Sequence, residues 1–141
     1  MANATFTIDD ANALLAANFA PWVRATGLTV EAVSSDSLMM RIPFSDQLCR
    51  VGGIMSGQTL ITGADTAMVL ATAAAMGANR KLVATVDLTI NYMRPVTKAD
   101  AVLVAKVIRL GRTLAFCTTD IKEVGSDKPS AFATGTFAVP A

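Results

Sequence analysis

Between Arg50 and Arg80 the chain carries one formal charge, Asp65. The rest of residues 51–79 holds no Lys, Arg, Glu or second Asp, and its second half is rich in Ala, Thr and Met. Ser56 or Thr59 can act as N-cap, the helical pattern runs to about Met76, and Gly77 and Asn79 offer a stop. Leu60, Ile61, Ala64, Met68, Ala71 and Ala75 recur at helical spacing and define an apolar face. At 100° per residue Asp65 falls on the flank of that face, beside Ile61 and Thr72. Such a helix has to be covered. Lipid is a poor cover, because the longest uncharged, mostly apolar run, 66–79, is shorter than the roughly 18 to 20 residues that span a bilayer. Protein is the expected one, with no membrane partner.

The flanking sequence supplies strands. In 82–93, Leu82, Ala84, Val86, Leu88, Ile90 and Tyr92 alternate with Thr85, Asp87, Thr89 and Asn91, the cleanest period-2 pattern in the chain. Residues 101–110 and 113–124 flank the short turn Gly111–Arg112 and read as a hairpin, and 130–139 is a further strand. Upstream, 28–33 and 37–42 form a hairpin around "SSDS", and 44–55 is a glycine-bearing loop. Asp9 and Asp10 mark the start of an N-terminal helix, with Pro21 as its stop. The order is helix, two strands, a long buried helix, then at least three long antiparallel strands. That is α+β, a sheet wrapped on one helix. At 141 residues it is read as a single domain over 1–141, with an N-terminal helical segment 1–24 and a core at 25–139.

Composition narrows function mainly by exclusion. The chain has no histidine, which removes Ser-His-Asp and Cys-His sites, histidine general bases and nearly all His-ligated metal sites. No metal site and no cofactor is expected. Cys49 and Cys117 lie far apart in apolar surroundings and read as free thiols of a reducing compartment. "MANATFTIDD" lacks the basic and apolar regions of a secretory signal, so a cytoplasmic location is the expectation. A net charge of +1 with scattered Lys and Arg gives no footprint for nucleic acid. Apolar residues make up 52%, charged residues only 16%, and mean hydropathy is +0.48, which points to an oligomer that covers part of the apolar surface.

Four segments in order, "VGGIMSGQTLITGADTAM", "TVDLTINYMRPV", "VIRLGRTLAF" and "ATGTFAV", resemble the hotdog-fold thioesterases of the phenylacetate-degradation-related (PaaI) type over roughly residues 25–139. The resemblance implies a long central helix wrapped by a curved antiparallel sheet. It also implies sheets joined between two subunits, often in a tetramer, active sites at the dimer interface, and hydrolysis of acyl-CoA thioesters. The family's loop-to-helix motif commonly ends in His-Gly-Gly; here these positions read Ser56, Gly57 and Gln58. Asp65 stands at the place of the catalytic carboxylate, Arg50 at a loop position often Asn or Gln, and Thr85 at a Ser/Thr that helps place the attacking water.

The residues allow these roles on their own chemistry. A helix N-terminus presents unpaired N–H groups, and Gly57 lets a carbonyl come close, so its amide is a candidate oxyanion donor. Asp65 is a candidate general base or nucleophile, or else a structural acid paired with Arg50 or a threonine hydroxyl. It lies about 12 Å along the helix from Gly57, so the two meet only across a subunit interface. Ser56 is an N-cap or a substrate contact, and Gln58 a substrate contact or a solvated side chain. Thr85 is part of the site or an ordinary strand residue. Arg50 could hold a CoA phosphate, hold an acyl carboxylate, or neutralise Asp65. Arg94, Arg109 and Arg112, at strand ends and turns, are candidate CoA-phosphate contacts or plain surface charges. Two function classes follow: a thioesterase acting on small or medium acyl-CoA, aliphatic or aromatic, or a non-catalytic acyl-CoA-binding protein. The lone Asp65 favours the enzyme, because a mere binding pocket gains nothing from a desolvated carboxylate.

Overall fold

The computed structural model describes residues 5–141; the first four residues of the expected segment 1–24 lie outside that range. Helix α1 spans Ile8–Asn18. Thr7 caps it, accepting from Asp10 N at 3.0 Å while Asp10 Oδ2 accepts from Thr7 N at 2.9 Å. The expected stop at Pro21 is corrected. The helix ends at Asn18, and Pro21 opens a short second helix, α2, Pro21–Arg24. Proline suits that position because its missing N–H is one that a first turn leaves unpaired.

Strands β1 (Thr29–Val33) and β2 (Ser37–Ile42) form the first hairpin. The loop that follows is more ordered than its sequence suggests. A single 3-10 turn at Asp46–Leu48 leads into a two-residue ladder of β3 (Cys49–Arg50) and β4 (Ile54–Met55). Then come helix α3 (Gly57–Met76) and strands β5 (Ala84–Tyr92), β6 (Ala101–Leu110), β7 (Leu114–Glu123) and β8 (Pro129–Ala138). The strands other than β3 and β4 make one antiparallel sheet in the order β1-β2-β6-β7-β8-β5. The sheet curves around α3.

Helix α3 is enclosed more completely than a single apolar face requires. Ala64, Ala67, Met68, Leu70, Ala71 and Ala73 are all fully buried, while Ile61 and Ala75 are only half-buried. The small side chains allow this: alanine keeps the helix thin, so the sheet can close on it from several sides. Two glycines mark the closest approaches. A Cβ on Gly63 would lie 2.7 Å from Ile42 Cδ1 and 2.8 Å from Leu103 Cδ2. One on Gly135 would lie 2.7 Å from the Phe137 ring and 3.1 Å from Met68 Cε. By length and composition Gly57–Asn79 would pass for a membrane span, but 67% of its most apolar 18-residue stretch is buried inside the fold. It is the core helix.

The two edges of the sheet are treated differently. At β1, the Asn12 side chain of α1 donates to Val30 O at 3.2 Å and accepts from Val30 N at 3.0 Å, occupying the edge as a neighbouring strand would. At the far edge β5 pairs only with β8. It carries a single charge, Asp87, and no proline or lysine to discourage pairing.

The packing around Gly135 gives a test. Gly135→Ala forces the new methyl into Phe137 and Met68, and should lower unfolding stability by about 1–3 kcal/mol as overpacking does. Urea unfolding measures it; unchanged stability would show that this contact is loose.

Candidate active site

The site begins at the head of α3. Ser56 is the N-cap: its Oγ accepts from Thr59 N at 3.2 Å and bonds Thr59 Oγ1 at 2.8 Å. Thr59 Oγ1 spends its own proton on Leu48 O at 3.0 Å, so Ser56 donates in the hydroxyl pair. Ser56 N also donates to Leu48 O at 2.9 Å. Both functions of the Ser56 hydroxyl are therefore taken by the cap, and the capping role is the one its geometry serves.

Gly57 is the first helical residue, and its N–H has no partner among the described residues, as the first turn of a helix dictates. It borders a cavity of about 430 Å³ lined also by Arg50, Leu60, Tyr92 and Arg94. The wall is otherwise largely apolar, with Ile54, Met55 and Val96, and no carboxylate lines it. Arg50 and Arg94, far apart in the chain, thus meet Gly57 at one anion-attracting opening. Gln58 is exposed outside this lining.

Asp65 lies two turns further along α3, half-buried. Thr85 Oγ1 donates to its Oδ1 at 2.8 Å, which leaves Oδ2 unclaimed. Burial pushes the carboxyl above its ordinary range, and the Thr85 hydrogen bond pulls part of the way back. The structural alternative of an Asp65–Arg50 pair does not form. The ion pairs among the described residues join Arg41 to Glu31 and to Asp100, and Arg50 sits at the other end of the helix.

Thr85 reaches Asp65 because of a bulge that breaks the expected alternation. Leu88 and Ile90 pack on the core, and Tyr92 Oη donates to Gly57 O at 2.7 Å, so even-numbered residues face α3. Strict period 2 would turn Thr85 away. Thr85 pairs with Phe137 and Asp87 with the next residue, Thr136, so Val86 is the extra residue that reverses the parity. Val86 itself is 59% exposed. The expectation that Ala84 and Val86 share a face with Leu88 is corrected accordingly.

Arg109 and Arg112 do not join the Gly57 cavity. They flank the β6–β7 turn beside a separate hollow of about 360 Å³, with Leu114 and Phe116. Through the rungs Leu110–Ala115–Phe137–Thr85, that turn lies at the Thr85 end of the sheet. The residues expected to form one site therefore fall in two groups. Gly57, Arg50 and Arg94 stand by the Tyr92 end of β5, and Asp65 and Thr85 by its start. Sequence reading also missed Tyr92, which it placed among aliphatic core residues; the one signal was a hydroxyl in an apolar set, which needs a partner when it turns inward.

Residues 52–129 match the family model of the Thioesterase superfamily. The chain belongs to that superfamily. A protein of Halobacterium salinarum named "putative esterase" is 36% identical over 95 residues, which are 62% of this chain and 60% of that protein. The match thus spans less than two thirds of that relative's length. Among solved structures, a "putative thioesterase" from Silicibacter sp. is 25% identical, with a TM-score of 0.86 over 100% of this chain and 96% of that one. A "phenylacetic acid degradation-related protein" from Ralstonia eutropha, 22% identical, shares the fold at a TM-score of 0.77 over 92% and 98% of the two chains. The fold is the hotdog fold, and the resemblance of the sequence to hotdog-fold thioesterases holds.

The Asp65 environment makes two linked predictions. Thr85→Val removes the interaction that favours the carboxylate, so the Asp65 pKa should rise further, read by carboxyl-carbon NMR titration. Because the folded pKa is raised, the protonated acid is the form the fold prefers. Its stabilising effect is complete below the unfolded value of 3.8 and lost as pH rises through the folded pKa. Asp65→Asn should accordingly melt above the wild type at pH 7, the gap closing on acidification. A variant that melts lower at pH 7 would mean that the charged form is the one the structure holds.

Proposed function

We propose that the protein is an acyl-CoA thioesterase whose active site is completed by two subunits. The observation that carries this reading is the free Gly57 N–H at an arginine-bearing cavity, together with the half-buried Asp65 carboxylate, bonded by Thr85, at the opposite end of an open edge strand. Antiparallel pairing of β5 with its copy about a two-fold axis brings the Tyr92 end of one strand beside the Thr85 end of the other. The oxyanion donor of one subunit and the carboxylate of its partner then face one cavity, which neither chain assembles alone. The resemblance to PaaI-type thioesterases implies the same arrangement, as a dimer or a tetramer.

In this reading the thioester carbonyl lies against the Gly57 amide, where the positive end of the α3 dipole adds to the hydrogen bond. Asp65, held at Oδ1 by Thr85, takes a proton from water on Oδ2 as the water oxygen bonds the carbonyl carbon. The tetrahedral oxyanion is stabilised by the Gly57 N–H. Its collapse breaks the carbon–sulfur bond, and the proton held by Asp65 leaves with the CoA thiolate. If Asp65 attacks directly, the same carbon–sulfur cleavage gives a mixed anhydride, which water then hydrolyses. Burial serves the first route, since a raised pKa makes the carboxylate a better base. Arg50 and Arg94 offer the charge for CoA phosphates at the mouth, and Arg109 and Arg112 a second anionic contact at the partner's end. The free acyl group, small or medium, faces the apolar wall. Such chemistry on an acyl-CoA fits a cytoplasmic enzyme with no cofactor.

Gly57→Pro tests the amide directly. Proline is well tolerated as the first residue of a helix, and Ser56 already has the extended ψ of 151° that a following proline needs. Gly57→Ala is the control, because both variants place a Cβ near the Tyr92 ring and only proline removes the N–H. The proline variant should fall a further 10²–10³-fold in kcat below the alanine one, the scale of a lost oxyanion donor. Equal rates would remove Gly57 from the chemistry.

Complementation tests the shared site. Asp65→Asn should cut kcat by at least about 10²-fold. Co-refolded with Gly57→Pro, it forms hybrids with one intact site of two, and about a quarter of wild-type turnover should return. A site contained within one chain would recover nothing.

A further inference from the structure

Among the described residues, Tyr92 is the one side chain that hydrogen-bonds the open edge strand to the head of α3, and no part of the chemistry above uses it. Its hydroxyl donates to Gly57 O at 2.7 Å. Its ring covers Gly57 so closely that a Cβ there would sit 3.2 Å from both Cζ and Oη. On the other side of Gly57, Ser56 is fixed through its N–H to Leu48 O and through its hydroxyl to Thr59. A glycine is the residue with the most backbone freedom to lose. Here it is clamped from the loop side by Ser56 and from the strand side by Tyr92. The amide of Gly57, a residue that borders the cavity, lies between those two clamps.

We infer that Tyr92 is a positioning residue: its hydroxyl holds the Gly57 backbone so that the neighbouring N–H points at the substrate carbonyl. The inference rests on Gly57 being the oxyanion donor. Burial raises the Tyr92 phenol above its ordinary range, so the hydroxyl stays a donor through neutral pH. The position also has a structural logic. Tyr92 ends β5, the edge left open for a partner, and is itself 50% exposed in the single chain. The same strand that would be immobilised by subunit pairing thus carries the group that orients the oxyanion amide.

The test uses Tyr92→Phe, which keeps the ring over Gly57 and removes only the hydrogen bond. Turnover of hexanoyl-CoA and phenylacetyl-CoA is followed by thiol release, with thermal midpoints taken on the same preparations. The variant should lose about tenfold in kcat, the scale of one hydrogen bond, with KM nearly unchanged, because alignment matters most in the transition state. In a Gly57→Pro background the same substitution should cost nothing more, since the group it positions is gone. Wild-type kcat in the single variant would overturn the inference, as would an equal tenfold loss in the proline background. A lowered midpoint with unchanged kcat would make Tyr92 a packing residue only. Should the Gly57→Pro and Gly57→Ala proteins turn over alike while Tyr92→Phe loses activity, the oxyanion reading fails first and this inference with it.

Discussion

Everything in this fold depends on hiding α3. Apart from Asp65, the helix offers no charge to water along its length, and its middle turns are buried on nearly every side. Burial of that much apolar surface at about 25 cal/mol per Å² is the dominant gain available to a chain of this size. It sets the geometry of the rest: a sheet long enough to wrap the helix, and glycines at 63 and 135 where helix and sheet come closest. The cost of curling a sheet around one helix is that its two edges do not meet. One is occupied by Asn12; the other, β5, is left with unpaired backbone groups.

Within that enclosure Asp65 is an expense with no structural return in the chain itself. Its one bond is to Thr85, and no cation compensates it among the described residues. A half-buried carboxylate without an ion pair is tolerated where its raised proton affinity is useful. The bulge at Val86 points the same way. A regular β5 would have turned Thr85 away from the helix and left Asp65 with no partner at all. Bulges commonly re-aim one side chain beside a site, and this one re-aims the hydroxyl that holds Asp65.

The separation of the proposed site into two halves has a simple geometric origin. Gly57 must be at the helix start, because only there is a backbone N–H free. Asp65 is two turns on, and a straight helix cannot bring residues eight apart to one point. Strand β5 runs along the same helix, with Tyr92 over Gly57 and Thr85 over Asp65. In the proposed dimer, a two-fold axis beside the open edge of β5, level with the middle of the strand, is the operation that sets one end of β5 next to the opposite end of its copy.

The sequence by itself determined the long helix, the succession of elements along the chain and the lone carboxylate. Those depend on local periodicity, on glycine and proline, and on where charge is absent. It placed Gly57 at the helix start because capping chemistry is local, with Ser56 or Thr59 as N-cap, and the fold selects Ser56. The reversal of parity on β5 was hidden. A bulge is settled by pairing with β8, and "ATVDLTINY" alternates without a break. The same holds for the stop at Pro21, which became a start once α1 was closed at Asn18. Only the tertiary structure decided which arginines share a cavity with Gly57, since Arg50, Arg94, Arg109 and Arg112 are equal as exposed cations until the chain folds. Tyr92 came to light for the same reason: a hydroxyl's partner is a matter of distance in space, and Gly57 is far from Tyr92 along the chain and 2.7 Å from it in the fold.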